Sequence, residues 1–244
     1  MSDHERDWHD RHYQTESAIT SSAVFQRVHD RAAREFLRST GAGRAHRILS
    51  LGCGDGAIER RLAPQVGEIV GFDLSPVAIE QARAKSAGVA NLSFHAASHD
   101  SLAGYGKFDF IAAFAFLHHL DDAAIGSVLL AARNALRPGG RFYSTDPSRR
   151  RLVRVLTGLV RKTYEHYHSP DERELQPETL AAVAARAGFS RPAIGYTDFF
   201  LGPLAWLAPG TPRWLALPLE AMDNLALRLP LLRRYASSFS LCAS

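Results

Sequence analysis

Three glycines at alternate positions and one later aspartate are the residues best suited to bind a ligand. The glycines are Gly52, Gly54 and Gly56. They follow an apolar run at residues 48–51, and Asp73 lies about 20 residues beyond the first glycine. Glycines let a backbone approach a ligand closely, and a carboxylate at this interval can accept hydrogen bonds from two ribose hydroxyls. The pattern predicts a nucleotide-binding βαβ unit, although Gly-x-Gly-x-Gly fits a dinucleotide less well than Gly-x-Gly-x-x-Gly.

A second set of residues could accept a proton near that ligand. His118 and His119 follow an apolar run at residues 108–114, and Asp146 lies just beyond the predicted strand at 141–144. Because the carboxyl ends of parallel strands meet at one edge of a sheet, these side chains are expected beside the bound ligand. A histidine there can act as a general base, or it can only orient its loop.

Strand and helix patterns alternate between residues 46 and 146, which predicts a mostly parallel sheet with helices on both faces. The predicted strands cover residues 48–51, 68–72, 92–95, 108–114 and 141–144, with two more at 193–196 and 235–242. The predicted helices cover residues 57–62, 76–87, 123–136 and 177–187, and residues 137–140 predict a turn.

Together these motifs resemble those of the class I S-adenosyl-L-methionine (SAM)-dependent methyltransferases, of the type that act on small molecules. The Leu-Gly-Cys-Gly-Asp-Gly sequence at 51–56 looks like the first family motif, and Val-Gly-Phe-Asp-Leu-Ser at 70–75 like the second. Residues 108–122 and 136–140 resemble the fourth strand with its loop and the turn into the fifth. The resemblance implies an α/β, Rossmann-like seven-stranded sheet of order 3-2-1-4-5-7-6 with an antiparallel last strand.

The resemblance also implies which residues contact SAM. They are Tyr13, Ser50, Gly52, Cys53, Gly54, Gly56, Asp73, Leu74, Ser98, His99 and Phe114. Ser50 and Ser98 depart from the family, which usually carries an acid at both positions. A serine hydroxyl accepts a hydrogen bond without the added strength of a carboxylate charge. His99 or Asp100 can compensate at the second position, and Cys53 is expected to be structural.

The chain is expected to form a single methyltransferase domain over residues 1–244. Residues 1–45 are expected to form a helical N-terminal lid, 46–146 the SAM-binding core, 147–234 the substrate-side helices and an apolar cap, and 235–244 the final strand. A basic amphipathic helix at 149–162 can grip a phosphorylated acceptor or make peripheral contact with a membrane. It can equally be a solvated face beside a cap that packs over the sheet.

Composition restricts the partners and the compartment. With 29 basic and 25 acidic residues, the net charge of +4 is too small to indicate nucleic acid. Two cysteines without a disulfide pattern and a polar N-terminus predict a cytoplasmic protein. No metal is expected, since methyl transfer from SAM needs none and the histidines at 166 and 168 lack further ligands at a suitable spacing.

The resemblance to the SAM-dependent methyltransferases, together with the apolar cap segment, predicts methyl transfer to a small or lipid-like acceptor, with oxygen favoured over carbon or nitrogen. The expected catalytic residues are His118, His119 and Asp146. A SAM-binding relative that does not methylate is an alternative, which Ser50 and Ser98 favour. An NAD-dependent dehydrogenase is a further alternative, which the short glycine loop disfavours. The sequence does not indicate the oligomeric state.

Overall fold

The computed structural model describes residue 10, residues 22–152 and residues 172–244. Its strands are β1 (Arg47–Leu51), β2 (Glu68–Asp73), β3 (Leu92–Ala96), β4 (Phe108–Phe114), β5 (Leu136–Pro147), β6 (Ala193–Asp198) and β7 (Ser238–Ala243). They form one seven-stranded sheet of order β3-β2-β1-β4-β5-β7-β6. The first five strands pair in parallel, and β7 is antiparallel to both β5 and β6. The predicted strand order and antiparallel last strand are therefore confirmed.

The helices of the described chain connect these strands and cover the sheet. They are α1 (Ala23–Thr40), α2 (Ala57–Leu62), α3 (Pro76–Lys85), α4 (Asp122–Ala135), α5 (Pro177–Arg186), α6 (Leu201–Leu207) and α7 (Arg213–Leu227). In α3 and α4 a side chain caps the first turn. Ser75 accepts a hydrogen bond from the backbone N–H of Ala78, and Asp121 accepts one from that of Ala124.

The bounds of two predicted strands, at residues 235–242 and 141–144, differ from the structure by three residues or more. The last strand begins at Ser238 rather than at residue 235, because Leu232–Tyr235 form a 3₁₀ turn. Residues 137–140 are not a separate turn before β5 but lie within that strand. Phe108 pairs with Leu136 whereas Phe110 pairs with Arg141, so residues 137–140 form a bulge between the two pairs.

The core lies on both faces of the sheet, as expected for parallel strands covered by helices. Two neighbouring residues of β5 point to opposite faces of the sheet. Phe142 packs on the face covered by α4 and α5, whereas Tyr143 packs against Phe36 of α1 on the other face. The sheet therefore lies between two apolar layers.

Helices α6 and α7 lie in the apolar segment for which the sequence predicts a cap. Together with the start of α1 they bury a small cluster that includes Phe25 and Leu201, and the rings of Phe25 and Trp206 meet edge to face at 4.8 Å. Most of the predicted basic helix at 149–162 lies outside the described residues, as do Tyr13 and the histidines at 166 and 168. Across the described ranges, no helix has both the length and the apolar character needed to span a membrane. The single-domain division stays a prediction.

Candidate active site

A cavity of about 290 Å³ opens at the carboxyl ends of β1, β2 and β4. It lies where open α/β sheets bind their ligands. Six of the residues predicted from the sequence line it: Gly52, Asp73, Leu74, Ser98, His99 and His119. The predicted cofactor residues and one of the predicted proton acceptors therefore share one cavity.

The glycine loop fits tightly between neighbouring side chains. Gly52, Gly54 and Gly56 all have positive φ angles of 65°, 53° and 74°, a region that side-chain-bearing residues rarely adopt. At Gly52 an added Cβ would lie 2.3 Å from the Phe116 ring, and at Gly56 it would lie 2.7 Å from the Phe94 ring. The loop therefore requires glycine for both its conformation and its space.

Asp73 connects this loop to the end of β2. One carboxylate oxygen accepts the backbone N–H of Gly54 and the other that of Ser75, each at 2.9 Å. Burial raises the pKa of Asp73, although these two hydrogen bonds oppose the shift. Each carboxylate oxygen can accept a further hydrogen bond, so the side chain can still hold two ribose hydroxyls. The hydroxyl of Ser75 in turn donates to Asp10, which brings that part of the N-terminal segment beside the loop.

Ser50 does not line the cavity and instead contacts a buried acid. Its hydroxyl donates to Oε1 of Glu59, a residue of α2, at 2.6 Å. Glu59 is only 1% exposed, and burial raises its pKa to about 7 against the opposing effect of the Ser50 hydrogen bond. Within the described structure its Oε2 atom has no hydrogen-bond partner. Sequence reasoning missed Glu59, because only the tertiary structure brings it against β1.

Ser98 lies at the predicted place and also contacts an acid. Its hydroxyl lies 3.1 Å from Oδ2 of Asp100, and both residues line the cavity. His99 lines the same wall and lies 3.2 Å from the Ser127 hydroxyl on α4. This wall therefore carries polar groups from the loop that follows β3.

Phe114 and Cys53, like Ser50, Gly54 and Gly56, are predicted contact residues that do not line the cavity. Phe114 is buried in the core against Phe36 and Tyr143, since the end of β4 turns it away from the cavity. The residues after it, Ala115 and Phe116, line the wall instead, and Ala115 has a positive φ of 48°. Cys53 is also buried, and burial raises the pKa of its thiol, which fits a structural role.

The two adjacent histidines have different surroundings. They belong to a 3₁₀ turn, Leu117–His119, directly after β4. His118 is buried, and one oxygen of Asp146 lies 3.1 Å from its backbone nitrogen and 3.3 Å from its Nδ1. Burial raises the pKa of Asp146 to about 7, and the backbone N–H of His118 opposes that shift. His119 lines the cavity whereas His118 and Asp146 do not, so His119 is the histidine placed to meet a substrate.

Glu172 approaches both histidines and was not singled out by the sequence. Its carboxylate oxygens lie 3.9 Å from Nε2 of His118 and 3.7 Å from Nδ1 of His119. One ligand atom from each of the three residues falls within 4.8 Å of the others. This spacing suits charge pairing with a protonated histidine, and the three groups are also of the kind that can hold a divalent cation. More than 50 residues of sequence separate Glu172 from the histidines, so no local spacing signals the contact.

Comparison with known proteins agrees with this geometry. Residues 48–140 match the family model of a methyltransferase domain. The ubiquinone biosynthesis O-methyltransferase of Hydrogenovibrio crunogenus is 26% identical over 171 residues, which cover 63% of this chain and 66% of that protein. The alignment thus spans about two thirds of the relative's length.

Two solved structures share the fold. A SAM-dependent methyltransferase from Archaeoglobus fulgidus superposes with a TM-score of 0.63 at 16% identity, covering 95% of this chain and 98% of that one. Magnesium protoporphyrin IX methyltransferase from Synechocystis, with bound S-adenosylhomocysteine (SAH), gives a TM-score of 0.59 at 16% identity and covers 90% and 83%. Residues 48–140 therefore form a methyltransferase domain, and the sheet has the fold found in SAM-dependent methyltransferases.

SAM is accordingly the cofactor, and the described residues fit it. Gly52 and Asp73 both line the cavity, and a side chain at position 52 would collide with Phe116 of the same wall. Leu74, Phe116 and Leu120 give the rest of the cavity an apolar wall suited to an adenine ring. The methyltransferase match replaces the dehydrogenase alternative.

Proposed function

We propose that this enzyme methylates a hydroxyl oxygen of a small or lipid-like acceptor and that His119 accepts the hydroxyl proton. The observation that carries this proposal is the cavity itself, because His119 lines the same space as Gly52 and Asp73. Oxygen as the methylated atom is supported by the similarity to a ubiquinone biosynthesis O-methyltransferase.

SAM supplies a methyl group on a positively charged sulfur, so the protein needs no covalent intermediate. The glycine loop and Asp73 fix the adenosine end, and the apolar wall with Phe116 and Leu120 keeps water out. His119 then takes the proton as the acceptor oxygen attacks the methyl carbon in line. With SAM bound, the transfer would form the C–O bond and break the S–CH₃ bond, and the electron pair of the broken bond would stay on the sulfur of SAH.

His118 and Asp146 are proposed to position His119. Asp146 contacts the backbone nitrogen and the ring of His118 through one oxygen, which fixes the short turn that carries both histidines. Since neither residue lines the cavity, their substitution should disturb the orientation of His119 more than the proton transfer itself. The sequence predicts that all three residues serve catalysis, and the proposal assigns proton transfer to His119 and the positioning of His119 to His118 and Asp146.

The test supplies methyl-labelled SAM and a panel of phenols, catechols and hydroxylated isoprenoid lipids to the purified enzyme. Mass spectrometry detects the labelled product, and NMR distinguishes a methoxy group from C-methyl or N-methyl. The proposal expects a labelled methoxy product. Label on carbon or nitrogen would show that oxygen is not the target. Tight SAM binding with no product from any acceptor would favour the relative that does not methylate.

Matched histidine variants test the assigned base. His119→Asn should lower kcat by about 10²–10⁴ while the Kd for SAM stays unchanged, because a general base acts only in the chemical step. His118→Asn should lower kcat less and should lower the melting temperature more, since His118 is buried. Full activity in both variants would leave proximity alone as the mechanism and end the histidine-base assignment.

A further inference from the structure

Helix α7 has its carboxylates on the side that packs against the protein, whereas an ordinary surface helix turns its charged side chains to solvent. Glu220 accepts hydrogen bonds from two arginines of α1, Arg27 at 2.8 Å and Arg34 at 2.7 Å. Asp223 is fully buried and accepts three backbone N–H groups at residues 199–201, at 2.9–3.2 Å. These contacts fix which face of α7 meets the protein.

The opposite face of α7 is apolar and exposed. Trp214 is 70% exposed and Leu225 is 64% exposed. At 100° per residue these two side chains and the exposed Pro218 lie on one side of the helix. The apolar surface continues beyond the helix through Leu229 to Leu231, which is 79% exposed. An exposed stretch of large apolar side chains of this extent marks an interaction surface.

All exposed side-chain charges in this part of the chain for which burial is described are positive. Residues 199–244 contain only two acids, Glu220 and Asp223, and both are buried. Arg228, Arg233 and Arg234 are exposed at the end of α7 and in the following 3₁₀ turn. If two copies of the chain met through this face, the same arginines would approach each other, because a two-fold interface pairs a surface with itself. Apolar side chains flanked by arginines match a surface of anionic lipid headgroups over acyl chains.

The position of this face in the fold connects it with the active site. β5 and β6 both pair antiparallel with β7, so they run parallel to each other. The carboxyl end of β6 therefore lies at the same edge of the sheet as Asp146 and the turn that carries His119. Helices α6 and α7 follow directly from that edge, so the segment that carries the outer face of α7 leaves the sheet at the edge where the cavity opens.

We propose that the outer face of α7 and the residues that follow it, from Trp214 to Tyr235, dock on an anionic lipid surface. The apolar side chains enter the interface between headgroups and acyl chains, and the arginines bind the headgroup phosphates. This inference goes beyond the methyl-transfer proposal and does not depend on which atom is methylated. It concerns a different surface from the predicted basic helix at 149–162.

The experiment measures co-sedimentation of the whole chain with vesicles of phosphatidylcholine alone or mixed with phosphatidylglycerol. Binding should require the anionic lipid and should weaken as salt is raised. Leu225→Glu and Leu231→Glu should each lower the partition coefficient about tenfold or more, and Arg233→Gln should lower it several-fold. Leu130→Glu is the matched control, since Leu130 is exposed on α4 across the sheet, and it should bind as the wild type does.

Two readouts keep folding and self-association separate from docking. Unchanged thermal unfolding and SAM affinity in the variants establish that they are folded. Brominated acyl chains should quench the wild-type tryptophan emission, and Trp214→Phe should abolish the quenching. Equal sedimentation of Leu225→Glu and the wild type, or no binding to anionic vesicles, would overturn the proposal. It would also be overturned if light scattering showed a dimer that the same variants dissociate, with no vesicle binding.

Discussion

Replacement of Asp73 by asparagine is the sharpest test of the cofactor site. The change keeps the size of the side chain but replaces one acceptor oxygen by an NH₂ donor. Both oxygens of Asp73 already accept backbone N–H groups, from Gly54 and Ser75. The NH₂ group of the amide therefore faces one of these N–H groups, donor against donor, and the change also removes the negative charge that we propose holds the ribose hydroxyls.

The expected magnitude follows from hydrogen bonds to a charged acceptor, which contribute about 1.5–3 kcal/mol. SAM and SAH should each bind Asp73→Asn roughly ten- to a hundred-fold more weakly. The protein without ligand should also lose about 1–3 kcal/mol of unfolding free energy, because one loop N–H group loses its partner. Isothermal titration calorimetry gives the affinities, and denaturant unfolding gives the stability.

Asp109→Asn provides the matched control. Asp109 also accepts a backbone N–H, that of Arg47 at 2.7 Å, but it lies at the amino end of β4, on the edge opposite the cavity. The control should lose stability without losing SAM affinity. An Asp73→Asn affinity within twofold of wild type would refute the ribose assignment, and so would an equal affinity loss in both variants.

Three further outcomes follow from the structure. Burial raises the pKa of Glu59 to about 7 from an ordinary 4.5, so the folded state binds the extra proton and stability falls as pH rises between these values. Relative to wild type, Glu59→Gln should therefore gain about 2–4 kcal/mol of unfolding free energy at pH 8 and nothing below pH 4.5. The control Glu178→Gln changes an exposed ion pair and should alter the unfolding free energy little at either pH. The rate should fall as pH drops through the titration of an imidazole base, ordinarily at about 6.5, and a limb that persists in His119→Asn would contradict the base assignment. Dialysis against EDTA should leave activity unchanged, as the sequence predicts, whereas a loss restored by one divalent cation would assign His118, His119 and Glu172 to a metal.

Most of the fold could be predicted because its information is local. Residues 57–62 and 108–114 form a helix and a strand with the predicted bounds, since turn signals flank both apolar patterns. The final strand was recognisable from alternating Phe239 and Leu241, both of which are buried. Its start was placed too early because no residue type distinguishes a 3₁₀ turn at 232–235 from extended chain.

The cap shows where sequence patterns stop being sufficient. The apolar segment at 199–230 was expected to pack over the sheet or to face a lipid-like partner. Which side of α7 faces the protein depends on Arg27 and Arg34, nearly 200 residues earlier in the chain, which pair with Glu220. A hydrophobic pattern shows that a segment forms an amphipathic helix but not which element the helix packs against. That the apolar face of α7 points to solvent could therefore be seen only in the tertiary structure.

The two serines that depart from the family pattern show the same limit at the cofactor site. Taken one position at a time, Ser50 and Ser98 indicate two lost carboxylates and therefore a weakened or inactive enzyme. In the structure each hydroxyl contacts a carboxylate, Glu59 at 2.6 Å and Asp100 at 3.1 Å. Each serine therefore has a carboxyl group beside it that comes from another position of the chain. A missing acid at positions 50 and 98 is thus a weaker argument for a relative that does not methylate, and the affinity of Glu59→Gln for SAM measures whether the buried carboxyl group contributes.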